Sequence, residues 1–420
     1  MTQRYDTYKD SGVQWLGEIP GHWGCVSLRK FLRIFSEKNC GDKQLLSVTR
    51  EQGVVVRDIS SKEDNHNFIP NDLSGYKHVQ IGNFVINKMK SWQGSYGVSN
   101  YEGIVSPAYY TCKLEGINKT FFNLAIRSKI YVSFFGRYSK GIRVDQWDLS
   151  PVALKSIPFA VPPLSEQRSI VSYLDAKCGR IDEWVTKKQK EVEHLQELKQ
   201  RVIADAVTRG LNPHVKMKAT NIPWIKEIPE HWEMRKMKYL FDERSEKNHP
   251  DEPMLSATQS EGVILQSKYQ GRVVVVNTGF EGLKLVKVGD FVIHLRSFQG
   301  GIEYAHDRGI ISSAYTILNP KYPEYSAYYK RLFKSSSFID LLKICVTGIR
   351  EGQNINYSKL KQFSIPVPPI EEQKQIVSYL DAKCAKIDKL IVNITKEIEC
   401  IKEYKQRLIS DVVTGQIKVC

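Results

Sequence analysis

The chain has 420 residues, with 61 Lys and Arg against 46 Asp and Glu and a net charge of +15. That length allows two or three domains with sizeable cores, and the charge is that of a protein that meets a polyanion. Apolar residues make up 41%, which excludes the disordered and low-complexity classes.

The first stretch, MTQRYDTYKD, has no signal-peptide core, and no uncharged apolar run approaches membrane-spanning length. Eight cysteines are scattered without a Cys-x-x-Cys pair. These features predict a soluble cytoplasmic chain with reduced thiols, no membrane association, no disulfide framework and no zinc ribbon.

From its first residues the chain announces a duplication. Trp15-Leu-Gly-Glu-Ile-Pro-Gly-His-Trp23 returns as Trp224-Ile-Lys-Glu-Ile-Pro-Glu-His-Trp232, and Ser36-Glu-Lys-Asn39 as Ser245-Glu-Lys-Asn248. Gly82-Asn-Phe-Val-Ile86 pairs with Gly289-Asp-Phe-Val-Ile293, Gln93-Gly94 with Gln299-Gly300, and Gly103-Ile-Val-Ser106 with Gly309-Ile-Ile-Ser312. Ile170 to Cys178 recurs unchanged as Ile376 to Cys384. Residues 1–209 carry 30 basic and 22 acidic side chains and the remainder 31 and 24, so both halves are expected to face the same kind of partner. The frames match while the interiors diverge, which is the pattern of a two-site reader.

Each copy opens with about 150 residues of short apolar, β-branched runs between Gly, Asn and Pro. Phe84-Val-Ile86, Ile130-Tyr-Val-Ser-Phe134 and Arg272-Val-Val-Val-Val276 are examples, and they predict strands in a mixed domain. Ile157-Pro-Phe-Ala-Val-Pro-Pro163 and Ile365-Pro-Val-Pro-Pro369 then enforce an extended approach. A helix opens after each, with Glu166 and Glu372 at its positive end.

These helices are long. Leu174, Ile181, Leu195 and Val202 in the first, and Leu380, Ile387, Ile394, Ile401 and Leu408 in the second, keep heptad spacing as a seam. If the second globular part is compact, connectivity makes the two helices antiparallel. The expected fold is therefore α+β: two tandem strand-rich mixed domains separated by two long helices in an antiparallel coiled coil, with pseudo-two-fold symmetry. The boundaries are an N-terminal tail at 1–12, a first domain at 13–164, a helix at 165–209 and a linker at 210–221. A second domain at 222–370, a helix at 371–415 and a C-terminal tail at 416–420 follow.

The chain holds no G-x-x-x-x-G-K-[ST], H-E-x-x-H or G-x-S-x-G motif, and no G-x-G-x-x-G opens a βαβ unit. Neither catalytic nor metal-ligating residues are expected. Glu372-Gln-Lys374 resembles half of a nuclease metal site, but its mate Glu166-Gln-Arg168 also opens a helix, which favours a role at the helix start. His22 and His231, between Pro and Trp in the repeated frame, are expected to pack. The candidates for function are polar segments in the divergent interiors. Lys88, Lys90, Gln93, Ser95 and Tyr96 in the first copy, and His294, Arg296 and Gln299 in the second, mix cations, amides and aromatics around a glycine turn. That mixture serves phosphate contacts and base-edge hydrogen bonds. Arg137, Lys140 and Arg143, and Arg350, Gln353 and Asn354, occupy the zone before the prolines.

The Ile-Pro-x-x-Trp starts (Ile19 to Trp23, Ile228 to Trp232), the Pro-Pro approaches followed by Glu166-Gln167 and Glu372-Gln373, and the two long helices together resemble the specificity subunits of type I restriction-modification enzymes. The resemblance spans nearly the whole chain. It implies two target-recognition domains on a two-helix spacer, reading a split asymmetric sequence in double-stranded DNA. It also implies docking of modification (methyltransferase) and restriction (translocase and nuclease) subunits. S-adenosylmethionine, ATP and Mg2+ then belong to those partners, and the chain itself is a recognition subunit without a cofactor. Two other readings are a fused methyltransferase or nuclease carrying its own recognition domains, which lacks a motif, and a coiled-coil protein scaffold.

Overall fold

The computed structural model describes residues 3–58, 69–70, 72–139, 147–271, 278–347 and 354–419. The chain divides into two compact units, Met1–Lys188 with Lys396–Cys420, and Gln189–Thr395.

In the first unit a four-stranded antiparallel sheet holds β1 (Leu32–Phe35), β2 (Phe84–Ile86), β3 (Tyr96–Val98) and β4 (Tyr110–Leu114) in the order β1-β4-β2-β3. Cys112 stands opposite both Ile34 and Phe84, and Ile86 opposite Tyr96. One face of this sheet carries Phe84, Ile86 and Cys112 into a core with Phe121, Phe122, Phe134 and Phe135. The other face carries Val85 against Leu46, Val48, Val54 and Val105. The prediction of a strand at Ile130–Phe134 is corrected: this run lies in helix α2 (Lys129–Tyr138), which follows α1 (Lys119–Ile126). Tyr131, Phe134 and Phe135 fall at positions i, i+3 and i+4 and share one buried face, and Ser128 sits at the N-cap position.

The second unit repeats this plan. Strands β5 (Phe241–Arg244), β6 (Phe291–Ile293), β7 (Glu303–Tyr304) and β8 (Thr316–Pro320) take the order β5-β8-β6-β7. Helices α3 (Ser326–Leu332) and α4 (Ser336–Ile344) bring Tyr328, Tyr329 and Phe338 against Phe241 and Phe291. The run Arg272–Val276, read as a strand, lies outside the described residues.

Segments expected as a tail and a linker are partly ordered as strands. Tyr8–Asp10 pairs with Glu18–Pro20, and Met217–Ile222 pairs with Ile225–Pro229. Each extended proline approach is a strand as well, Pro158–Val161 against Gly24–Ser27 and Ser364–Val367 against Glu233–Lys236. The start and the end of each domain are thereby hydrogen-bonded together.

The first long helix runs Leu164–Arg209 and the second Ile370–Val413. Within the first unit, Asp182 binds Lys405 at 2.6 Å and Lys188 lies 3.9 Å from Glu397. One residue number rises as the other falls, so the helices are antiparallel. Within the second unit Lys199 binds Asp388 at 2.6 Å, the repeat counterpart of the Asp182–Lys405 pair. Leu174, Leu380, Ile387, Ile394 and Leu408 are buried, and Ile181, Leu195, Val202 and Ile401 are half-buried. Among the described residues, no helix is long and apolar enough to cross a membrane, and seven cysteines are free thiols.

Candidate nucleic-acid interface

Each domain is seated on its long helix by one carboxylate. Glu166, at the first turn of the first long helix, accepts hydrogen bonds from Trp23 Nε1 (3.1 Å) and from Tyr5 Oη, and pairs with His22 Nε2 (2.8 Å). Glu372 does the same with Trp232 Nε1 (2.9 Å) and His231 Nε2 (2.7 Å). The acidic residue read as a helix-start charge is thus the anchor of the repeated Ile-Pro-x-His-Trp frame, and the two histidines orient on it. The neighbouring glutamine locks the proline turn. Gln167 Nε2 donates to Pro162 O and Gln373 Nε2 to Pro368 O, both at 2.8 Å.

With the domain so held, the connection from β2 to β3 presents the first candidate segment. Ser91–Gln93 forms one turn of 3-10 helix, closed by Gly94 at φ +92, a left-handed conformation that favours glycine. Met89 and Lys90 are exposed at its tip, and Lys88 is held by Asp148 at 3.1 Å. Tyr96 and Ser95, expected as contacts, serve the core instead. Tyr96 is fully buried, stacks on Phe135 with ring centroids 4.0 Å apart and donates to Ile126 O at 3.1 Å. Burial pushes its hydroxyl pKa up.

Underneath lies Arg127, which the sequence reading missed. Its guanidinium donates to the carbonyls of Tyr96, Gly94 (3.4 Å), Arg50 (3.1 Å) and Glu51 (2.8 Å). It ties the turn of the Leu46–Thr49/Gly53–Val56 hairpin to the candidate segment. Burial lowers its pKa from the ordinary value, with Tyr96 and Glu51 opposing. Beside it opens a cleft of about 600 Å3 lined by Arg50, Trp92, Gln93, Lys129 and Gln406 among others. Arg50 and Lys129 are exposed, and Trp92 Nε1 is a buried donor with no hydrogen-bond partner. A cationic rim, an amide and an aromatic N–H form a surface suited to phosphate and base edges. Arg137, exposed on α2, lies 5.7 Å over the Phe134 ring.

In the second unit the equivalent connection is the short helix Ser297–Gly300, closed by Gly301 at φ +87. Its brace is Lys334, at the repeat position of Arg127, donating to Gly300 O (2.9 Å), Gln259 O (3.1 Å) and Glu303 Oε1 (2.5 Å). His294, expected as a contact, is buried. Its Nδ1 accepts from Arg296 N at 3.2 Å and its Nε2 lies 3.6 Å from the fully buried Glu303. Its place right after β6 carries it inward, where it shapes the turn that leaves Arg296 and Gln299 exposed. Asn354 is exposed on the strand Asn354–Ile355, paired with Val346–Thr347. Lys140, Arg143, Arg350 and Gln353 lie outside the described residues. Glu303 and Lys334 carry no motif, and Arg127 and Lys334 could have been found only by aligning the repeats through Arg127-Ser128 and Lys334-Ser335.

The module is duplicated, with each copy clamped to the start of a long helix and braced beneath a polar tip. The family model for the type I restriction modification DNA specificity domain matches residues 225–400. The chain is 25% identical over 431 residues to a putative type I restriction enzyme MjaX specificity subunit of Methanocaldococcus jannaschii, covering 96% of both chains. It is 26% identical to the MjaVIII specificity subunit of the same organism, covering 96% of this chain and 94% of that one. A chain solved in a study of complex assembly and conformational transition of a type I restriction-modification system shares the fold. Its TM-score is 0.63 at 14% identity, over 94% of this chain and 98% of the other. Over nearly its whole length the chain is thus similar to type I restriction enzyme specificity subunits, and residues 225–400 match the model of their DNA specificity domain.

Proposed function

We propose that this chain is the sequence-reading subunit of a type I restriction-modification complex, a recognition subunit that leaves catalysis to others. Residues 13–164 read one part of a bipartite asymmetric DNA target and residues 222–370 read the other. The helices at 165–209 and 371–415 receive the modification subunits, which methylate adenine. Restriction subunits join that assembly to translocate and cleave. S-adenosylmethionine, ATP and Mg2+ serve those partners, and the cytoplasm is where all of them meet DNA.

One observation carries this reading. In each unit a half-buried cation at the same repeat position, Arg127 or Lys334, braces a connection whose exposed residues differ: Lys90 with half-buried Gln93 in one, Arg296 and Gln299 in the other. A shared brace beneath different exposed residues is what two half-sites of different sequence require. Mapping methylated adenines in cells that express the chain with partner subunits tests it. Replacing residues 13–164 with the matching region of another family member changes one half-site, and a change in both refutes independent reading. A protein scaffold, by contrast, predicts no steep fall of duplex affinity with salt.

A further inference from the structure

A cluster in the first unit stands apart from the recognition surface. Glu37 and Cys40 lie on the stretch that follows β1, and Asn39 between them has φ +64. The left-handed residue curls the chain so that both side chains turn toward His78, on the strand Lys77–Val79. The ligand atoms of Glu37, Cys40 and His78 all lie within 4.8 Å of one another. His78 is 6% exposed. Its Nε2 is hydrogen-bonded to Glu102 Oε1 at 3.2 Å, and its Nδ1 is buried without a hydrogen-bond partner, 3.2 Å from Glu37 Oε2.

With Nε2–H donating to Glu102, Nδ1 is left as a lone pair 3.2 Å from a Glu37 carboxylate oxygen with which it makes no aligned hydrogen bond. Two acceptors at that separation need a shared cation, a proton on Nδ1 or a metal ion, and the absence of an aligned hydrogen bond between them suits a metal ion. Ligands about 2.1 Å from a tetrahedral ion stand roughly 3.4 Å apart, close to the observed 3.2 Å. A carboxylate on the far nitrogen of a metal-bound imidazole is the usual second-shell partner, fixing the tautomer and raising basicity.

The second unit supplies an internal control. The same backbone turn is there, with Asn248 at φ +65, but His78 is replaced by Leu285, Cys40 by His249, Gln80 by Lys287 and Phe35 by Arg244. Glu246 is met by Lys287 at 3.1 Å and Arg244 at 3.5 Å. Among the described residues, no lysine or arginine pairs with Glu37. One copy neutralises the carboxylate with fixed cations, and the other leaves it beside a thiol and an imidazole.

We propose that Glu37, Cys40 and His78 bind one divalent ion of the zinc class, through a carboxylate oxygen, the Cys40 thiolate and His78 Nδ1, with water as the fourth ligand. Thiolate, imidazole and carboxylate in one tetrahedral set suit Zn2+ over Mg2+ or Ca2+. Binding displaces the thiol proton to solvent. The ion fastens the stretch after β1 to the Lys77–Val79/Gly103–Val105 strand pair and stabilises the first domain alone.

The test uses the full chain, stripped with a chelator and titrated with Zn2+ against a chromophoric competitor, then with Co2+ to read thiolate-to-metal charge transfer. About one equivalent of Zn2+ is expected, with a rise in thermal midpoint and a cobalt-thiolate band. Cys40→Ser should lose the band, and the exposed Cys400→Ser should keep it. His78→Leu should bind no Zn2+ while remaining folded, since leucine already occupies the equivalent position in the second unit. Failure of the wild-type chain to bind micromolar Zn2+, or an unchanged stoichiometry in His78→Leu, would overturn the proposal.

Discussion

Replacing Glu166 with alanine should open the first domain's seat far more than the matching change at Glu372 opens the second. The Glu166 side chain is 8% exposed and serves three donors, of which Trp23 is itself fully buried. Its removal leaves the indole N–H and the Tyr5 hydroxyl without their charged acceptor. A buried donor stripped of its partner costs about 1–3 kcal/mol and a hydrogen bond to a charged group about 1.5–3, so the loss should be about 3–5 kcal/mol. Glu372 serves two donors and its side chain is 22% exposed, so water can replace it and the loss should be about 1–3 kcal/mol. The difference, about 2 kcal/mol, is a factor of roughly 30 in an opening equilibrium. Native-state hydrogen exchange followed by mass spectrometry, on peptides covering residues 15–23 and 224–232, reads the two openings in one sample. Glu166→Gln should be much milder, because the amide oxygen still accepts from the indole while its NH2 can donate to the other imidazole tautomer. Equal losses for the two alanine variants, or a glutamine variant as damaging as alanine, would refute the anchoring role.

Arg296→Ala and Gln299→Ala should each weaken duplex binding by about 1–3 kcal/mol with relaxed specificity where the side chain reads a base, or weaken all sequences alike where it meets phosphate; competition binding with target and scrambled duplexes decides. Gly415→Ala should destabilise the first unit by about 2 kcal/mol in a denaturant titration, because Gly415 sits at φ +76 and an added Cβ would lie 2.3 Å from the Pro20 ring. Burial pushes the Cys112 thiol up to about 12, so it should resist alkylation in the native chain while Cys400 reacts. The protonated thiol favours the folded state, and that stability is intact below the ordinary thiol value of 9.0 and lost as pH rises toward about 12. Pulsed alkylation and an alkaline unfolding series check both. Inserting four residues after Lys187 adds about 6 Å of helix and keeps the seam as a stutter; the mapped half-sites should stay the same with a gap one or two base pairs longer, and an unchanged gap at full activity would leave the helices as a docking platform only.

The duplication, the two long helices and their antiparallel sense were legible in the sequence because each is a repeated or periodic signal. Heptad spacing over Leu380–Leu408 states which face is buried without reference to anything distant, and even Lys199 and Lys405 within the seam recur together with their aspartates. The Phe84–Ile86 strand was readable for the same reason, set off by Gly82 and flanked by turn residues. Tertiary structure alone decided what lay between these signals. Ile130–Phe134 reads as either strand or helix, because a five-residue apolar run has no resolvable period, and packing of Tyr131, Phe134 and Phe135 on one face settled it as helix. Tyr96 and His294 carry polar groups useful for recognition, yet their places at the start of β3 and just after β6 turn them inward. Arg127, Lys334 and Glu303 belong to no motif, since their roles come from carbonyls and a lysine brought to them by distant segments. Glu166 finds Trp23 across 143 residues of chain. Local pattern encodes which elements form, whereas hydrogen-bond partners and burial arise from long-range closure of the chain, and only folding brings those residues together.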